Sequence, residues 1–269
     1  MYSKGGIEMY KFVLMLTMAI FAIGGMSFVV GARELDPDTI IEPEPTPPSK
    51  TLLKHEHTAD CEKTSAEPVQ IICILDRSGS MSNLTSDTIG GYNSFIEKQK
   101  QETGKAEVTT VLFNNRYQKI TDAVDLQEVP TLTNKEYYAS GTTALLDAVG
   151  STIADTLGKM ESQGICPAKR RVLIMIMTDG LENASQEYRK AEVKSMIEQT
   201  TKDYNWNYIF MGANIDSAAE ATAIGIDANF AADYSADGAG IERSFEQMDT
   251  AAKEVRKRGK VNKDWNEEK

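Results

Sequence analysis

Histidine and cysteine are scarce in this chain, with two and three respectively in 269 residues. So few histidines exclude the His-rich catalytic metal sites. Three cysteines (Cys61, Cys73, Cys166) with no Cys-x-x-Cys pair argue against both cysteine-zinc modules and disulfide stapling. Positive charge is short as well: Lys and Arg total 29 against 40 acidic residues, a formal net charge of −11. With no basic cluster before the last dozen residues, the chain is not built to grip nucleic-acid phosphates, and nucleic acid is excluded as a partner. The sequence also lacks a Gly-x-x-x-x-Gly-Lys-Ser/Thr phosphate loop, a Gly-x-Ser-x-Gly elbow and a Gly-x-Gly-x-x-Gly turn following a strand. What remains, 41% hydrophobic, 26% charged and 7% aromatic, is the composition of a folded domain held by an apolar core.

One long uncharged run stands apart from that core. Phe12 to Ala32 carries 21 residues without a charge, preceded by Lys4 and Lys11 and followed by Arg33-Glu34-Leu35-Asp36. About 20 apolar residues suit a bilayer-spanning helix, whereas signal-peptide cores run to about 7–15. The basic residues before it place the N-terminus in the cytoplasm and the remainder outside. Val30-Gly31-Ala32 also makes an acceptable cleavage site, so residues 1–32 read as a membrane anchor or as a cleaved secretory signal. Either way the bulk is expected outside the cytoplasm, touching membrane through the N-terminal segment only. Residues 33–68 then read as a disordered tether, with Pro37, Pro43, Pro45, Pro47 and Pro48 and nine acidic against four basic residues. His55-Glu56-His57, with Asp60 and Cys61 beyond, is a set of metal-ligand types. Nothing nearby would pre-organise it, and we read it as a polar stretch.

From Val69 the pattern changes. Val69 to Leu75 and Arg171 to Met177 are short, nearly continuous apolar runs, as expected for strands buried on both faces. Val108 to Phe113, Lys119 to Val124, Tyr208 to Met211 and a weak run near Asn229 to Ala232 add four strands. Between them, apolar residues recur at helical spacing, as in Leu145, Val149, Ile153, Leu157 and Met160, and again in Ile241, Phe245, Met248 and Val255. Alternating strands and helices predict an α/β, Rossmann-like, doubly wound and mainly parallel sheet flanked by helices. The short link Asn114-Asn115-Arg116 predicts one antiparallel edge strand. The folded domain is expected to span 69–258, leaving 259–269 as a polar, frayed tail.

In such sheets ligands bind beyond the carboxyl ends of the strands, where strand order reverses. Two strands end there in acidic residues: Leu75-Asp76-Arg77-Ser78-Gly79-Ser80-Met81, and Met177-Thr178-Asp179-Gly180. Between them in sequence, Ser140-Gly141-Thr142-Thr143-Ala144 opens a helix. Taken singly, each piece has another reading: Asp-x-Ser-x-Ser and Thr143 as helix caps, Asp179-Gly180 as a plain turn. Jointly they place carboxylates and hydroxyls at one edge. Asp76, Ser78, Ser80, Thr143 and Asp179 are all hard oxygen donors, the set suited to magnesium or manganese rather than zinc or copper.

Residues 69 to 258 resemble a von Willebrand factor type A (vWA) domain of bacterial type. The five residues resemble that family's metal-ion-dependent adhesion site, which takes Asp-x-Ser-x-Ser, a Thr and an Asp-Gly from three loops. Asp76, Ser78, Ser80, Thr143 and Asp179 match without departure; the run Gly-x-Thr-Ala-Leu-x-Asp-Ala favours Thr143 over Thr142. The resemblance implies a six-stranded sheet in the order 3-2-1-4-5-6. It also implies a bound Mg2+ or Mn2+ that bridges to a Glu or Asp of a partner protein in adhesion or complex assembly. A Mg-dependent hydrolase or phosphatase is the alternative, as is a purely structural vWA domain. The absence of histidine from the folded region leaves no general base of the usual kind, and the reading is non-enzymatic. Loops 114–117 and 181–188 are expected to rim the site, with Arg77 and Asn83 either contacting the partner or forming solvated loop polarity.

Overall fold

A computed structural model describes residues 65–267. The apolar run Phe12–Ala32, both histidines and most of the expected tether lie outside the described residues. Among those described, no helix is long and apolar enough to cross a membrane.

The two continuous apolar runs form the centre of the sheet. Strands β1 (Val69–Asp76) and β4 (Val172–Thr178) are buried along their whole length. They pair in parallel, with Gln70 opposite Val172 and Leu75 opposite Met177. On the far side of β1 lies β2 (Ala106–Phe113), also parallel, and then β3 (Tyr117–Asp125), which returns antiparallel through the Asn114–Arg116 turn. Beyond β4 come β5 (Asn207–Gly212) and the short β6 (Ala231–Asp233), both parallel. The order is β3-β2-β1-β4-β5-β6: six strands, with only β3 antiparallel.

Alternation along the strands divides the core into two layers. Ile71, Cys73 and Leu75 of β1, with Leu173, Met175 and Met177 of β4, pack against Tyr92 and Phe95 of α1 (Thr85–Lys100) and Phe245 and Met248 of α5 (Gly238–Arg258). Ile72, Ile74, Ile174 and Ile176 face the other way. They meet Val149 and Ile153 of α2 (Leu145–Ser162), Val193 and Ile197 of α3 (Lys190–Tyr204) and Ala221 of α4 (Ser217–Ala223). Each helix buries the stripe its 3.6-residue period sets up. Because the chain leaves β1 toward β2 and leaves β4 toward β5, the carboxyl ends of β1 and β4 frame the crevice where the order reverses.

Two expectations need correction. The residues after Gly259 do not fray as far as the description reaches. Val261 and Trp265 are buried in the α1/α5 layer, and the Trp265 indole N–H donates to the Asn229 carbonyl at 3.0 Å. Their polar neighbours masked two anchoring side chains. Disulfide bonding is not absent either: Cys166 is disulfide-bonded. Cys73 is the free thiol, wholly buried in β1, and burial pushes its pKa up. An odd cysteine count therefore concealed one bond and one inert core thiol.

Candidate metal centre

The sharp turn after β1 starts from a buried carboxylate. Asp76 ends β1 with no exposed surface; Oδ1 accepts the Ser78 backbone N–H at 2.6 Å and Oδ2 accepts the Thr178 hydroxyl at 2.6 Å. The first bond folds the chain back at once, so that Ser78 Oγ lies 3.0 Å from Ser80 Oγ. The Ser80 hydroxyl in turn donates to Asp179 Oδ1 at 2.5 Å, joining the β1 loop to the β4 loop.

The middle loop is held on both sides. The Gly79 N–H donates to the Gly141 carbonyl and the Ser140 N–H to the Arg77 carbonyl, at 3.0 and 2.9 Å. Asn183 clamps the other side: its Oδ1 accepts the Thr143 N–H at 2.9 Å while its own N–H donates to the Thr143 carbonyl at 3.0 Å. Thr143 is buried and Thr142 exposed. A Cβ placed on Gly180 would lie 3.8 Å from Thr143 Oγ1 and 4.0 Å from Ser80 Oγ, which puts both hydroxyls beside the Asp179–Gly180 turn. All five expected residues thus gather at the carboxyl edge of β1 and β4.

Electrostatics sharpen the picture. Burial pushes the Asp76 carboxyl up to about 6; hydrogen bonds from Thr178 and Ser78 oppose this, and the nearby Asp179 charge adds to it. Asp179 is raised too, again by burial, with the Ser80 hydroxyl opposing. The main influences on the two carboxylates include no positive group. Two buried carboxylates without a cation are costly unless something compensates them. Among the described residues no group of three or more His, Cys, Asp or Glu comes together to hold a metal. The donors here are two carboxylates and three hydroxyls, a set that fits a hard divalent ion retaining part of its water shell.

Several positioning residues carry no sequence signal of their own. Thr178 anchors Asp76, the Tyr137 hydroxyl donates to the Asp76 carbonyl at 2.5 Å, and the Tyr234 hydroxyl donates to the Thr178 carbonyl at 3.1 Å. Glu182 accepts from the backbone N–H groups of Leu146, Ala184 and Ser185. Of these, Glu182 and Asn183 lie in the Thr-Asp-Gly-Leu-Glu-Asn run, where polar residues straight after a strand-end Asp-Gly were the available clue. Arg77 departs from solvated loop polarity. It is buried, donates from Nη1 to the Glu136 carbonyl at 2.9 Å, and stacks with its guanidinium carbon 4.9 Å from the centre of the Tyr138 ring.

Comparison with known proteins agrees with this architecture. The family model described as "VWA domain containing CoxE-like protein" matches residues 50–203, more than half of the chain. The chain belongs to this VWA family. Solved structures support the VWA fold at low identity. Proximal thread matrix protein 1 from the mussel byssus superposes with a TM-score of 0.51 at 14% identity, over 70% of this chain and 49% of that one. A form of the mussel protein with a zinc-occupied MIDAS motif gives 0.50 at 12% identity, with the same coverage. The vWF domain of the type V pili tip protein Mfa5 from Porphyromonas gingivalis gives 0.50 at 12%, over 72% of this chain and 98% of that one. The VWA chain spans less than half the length of the mussel protein. No curated protein matches it.

Proposed function

We propose that Asp76, Ser78, Ser80, Thr143 and Asp179 form a metal-ion-dependent adhesion site that holds one Mg2+ or Mn2+. In this reading the ion binds a Glu or Asp side chain of a partner protein. The observation that carries it is the pair of buried carboxylates, with no ion-pair partner among the described residues, that share one edge with three hydroxyls. Neutral hydroxyl donors leave a bound ion electrophilic, which is the chemistry it supplies: a positive point on a chain of net charge −11 where an acidic side chain can dock. The rim suits a protein partner. Tyr138 and Leu181 are the two exposed large hydrophobics among the described residues, and both sit on loops bordering the site. The mussel relative with zinc in its MIDAS and the pilus-tip relative make a divalent ion and an adhesive or assembly role reasonable here.

In the same proposal the VWA domain lies outside the cytoplasm, carried by the Phe12–Ala32 segment as anchor or cleaved signal. The disulfide at Cys166 supports this, because such bonds persist in oxidising compartments. The binding reading is tested by melting the full-length protein with Mg2+, Mn2+, Zn2+ or chelator. A site absent from the unfolded chain gives about 2.7 kcal/mol at a hundredfold excess of ion over its Kd. Asp76→Ala and Asp179→Ala are expected to lose that gain, and Thr142→Ala to keep it. Equal metal responses in wild type and Asp76→Ala would place the ion elsewhere.

A further inference from the structure

Beside the five-residue cluster lies a pocket of about 480 Å³ with a different character. Arg77, Asn115, Arg116, Tyr117, Tyr138 and Ser140 contribute to its wall, and no acidic residue lines it. Two guanidinium groups in one pocket are notable in a chain with an excess of eleven negative charges. Arg77 is 3% exposed, and its Nε has no hydrogen-bond partner among the described residues. Its side chain meets the neutral Glu136 carbonyl and the Tyr138 ring face, and among the described residues it forms no ion pair. The Glu136 carboxylate does not serve, because its Oε2 turns back to accept from Thr133 N and Oγ1. Arg116 is exposed at the turn that its own N–H helps close on Asn114 Oδ1. Tyr138, half-exposed, offers an aromatic face on the same wall.

This pocket shares its backbone with the five-residue cluster. Arg77 sits between Asp76 and Ser78, and Ser140 begins the loop that ends at Thr143. The Ser140 N–H ties these two loops together by donating to the Arg77 carbonyl at 2.9 Å, and the Asn114 amide adds the β2–β3 turn, donating to the Ser140 carbonyl at 2.8 Å. Resting on the function proposed above, we propose that this pocket is a second anchoring subsite for the same protein partner. It takes a second carboxylate, one to three residues from the side chain that reaches the ion. Guanidinium forks pair with carboxylates in charge-assisted hydrogen bonds, and an incoming carboxylate supplies the ion-pair partner that Arg77 lacks among the described residues. An extended peptide advances about 3.3 Å per residue, so neighbouring acidic side chains span adjoining subsites. The partner's recognition motif is therefore a pair of acidic residues rather than one.

Fluorescently labelled glycine-serine peptides containing one Asp test this. A Glu or a Gln is placed one, two or three residues to either side, and binding to the full-length protein is read by anisotropy in Mg2+ and in chelator. At one spacing the Glu peptide is expected to bind at least tenfold more tightly than its Gln counterpart. Arg116→Gln, at an exposed position, is expected to bring that ratio to within twofold of one. A ratio of one at every spacing overturns the subsite, as does a ratio that survives both Arg116→Gln and Arg77→Gln. Binding of the Gln peptides that is indifferent to chelator overturns the metal reading instead, and the Glu-to-Gln ratio in chelator then still decides the pocket. Undetectable binding of all peptides at millimolar concentration overturns both.

Discussion

Asp76 illustrates how one side chain serves the fold at a cost. It spends both oxygens on the turn and on Thr178, yet remains a wholly buried acid beside Asp179. Its folded pKa of about 6 lies above the ordinary 3.8, so between those values the native state binds more protons than the unfolded chain. Stability of the chelated protein should therefore fall as pH rises from 4 to 7, by at most about 3 kcal/mol from this residue. Thermal melts in chelator are expected to show a higher midpoint at pH 5 than at pH 7.5. Asp76→Asn should remove most of that slope, melt at or above wild type at pH 7.5, and show no response to Mg2+. A wild-type slope of zero, or one unchanged in the mutant, would show that the carboxylate is not under this strain. Arg77 makes a contrasting case at the same scale. Its position next to Asp76 was plain from the sequence, but its burial depends on Glu136 and Tyr138, some 60 residues away, which no local pattern announces.

At the level of elements, the legible parts were those governed by local period. β1 and β4 announce themselves because burial on both faces removes every polar position from Ile71 to Leu75 and from Val172 to Met177. The loop residues Asp76, Ser78, Ser80, Thr143 and Asp179 were legible because their chemistry is unusual at a strand end. Neither period nor composition revealed what welds those loops together. Asn183 reaches Thr143 across 40 residues, and Trp265 returns to cover the core near Asn229. Asn183→Ala removes the acceptor for the Thr143 N–H without touching a proposed ligand. It is expected to weaken Mg2+ binding about tenfold with little change in the metal-free melt, read by titration calorimetry; unchanged affinity would make the clamp irrelevant to the site. The α1–α5 contact offers an independent check on packing. A Cβ on Gly91 would meet Phe245 Cδ2 at 2.2 Å, and Phe245 is itself buried. Gly91→Ala should thus cost about 1–3 kcal/mol through overpacking, despite its gain in helix propensity. A neutral or stabilising result in a denaturant melt would mean that α5 yields more readily than its burial suggests.

Considered as a whole molecule, the chain combines the proposed metal site with a net charge of −11 that repels acidic groups at long range. The −11 charge disfavours indiscriminate anionic contacts, so that in the proposed function docking depends on the local sign reversal at one edge of the sheet. Raised salt screens both effects, and partner capture should consequently depend more on chelator than on ionic strength. Cysteine chemistry offers a test of the proposed compartment. Cys166 lies in the segment leading into β4, where the neighbouring Pro167 carbonyl accepts the Trp206 indole N–H at 3.3 Å, at the end of the sheet away from the Asp76 edge. A disulfide there leaves the site untouched and still responds to the redox environment. Protein isolated from its native host is expected to yield one alkylatable thiol after denaturation, Cys73, and three after reduction, counted by mass spectrometry. Native protein should yield none, because Cys73 is fully enclosed. Reduction should lower the melting point while leaving the Mg2+-induced shift intact, since the bond and the site lie at opposite ends of β4. Three thiols before reduction would place the mature chain in a reducing compartment and remove the support for export that Cys166 provides.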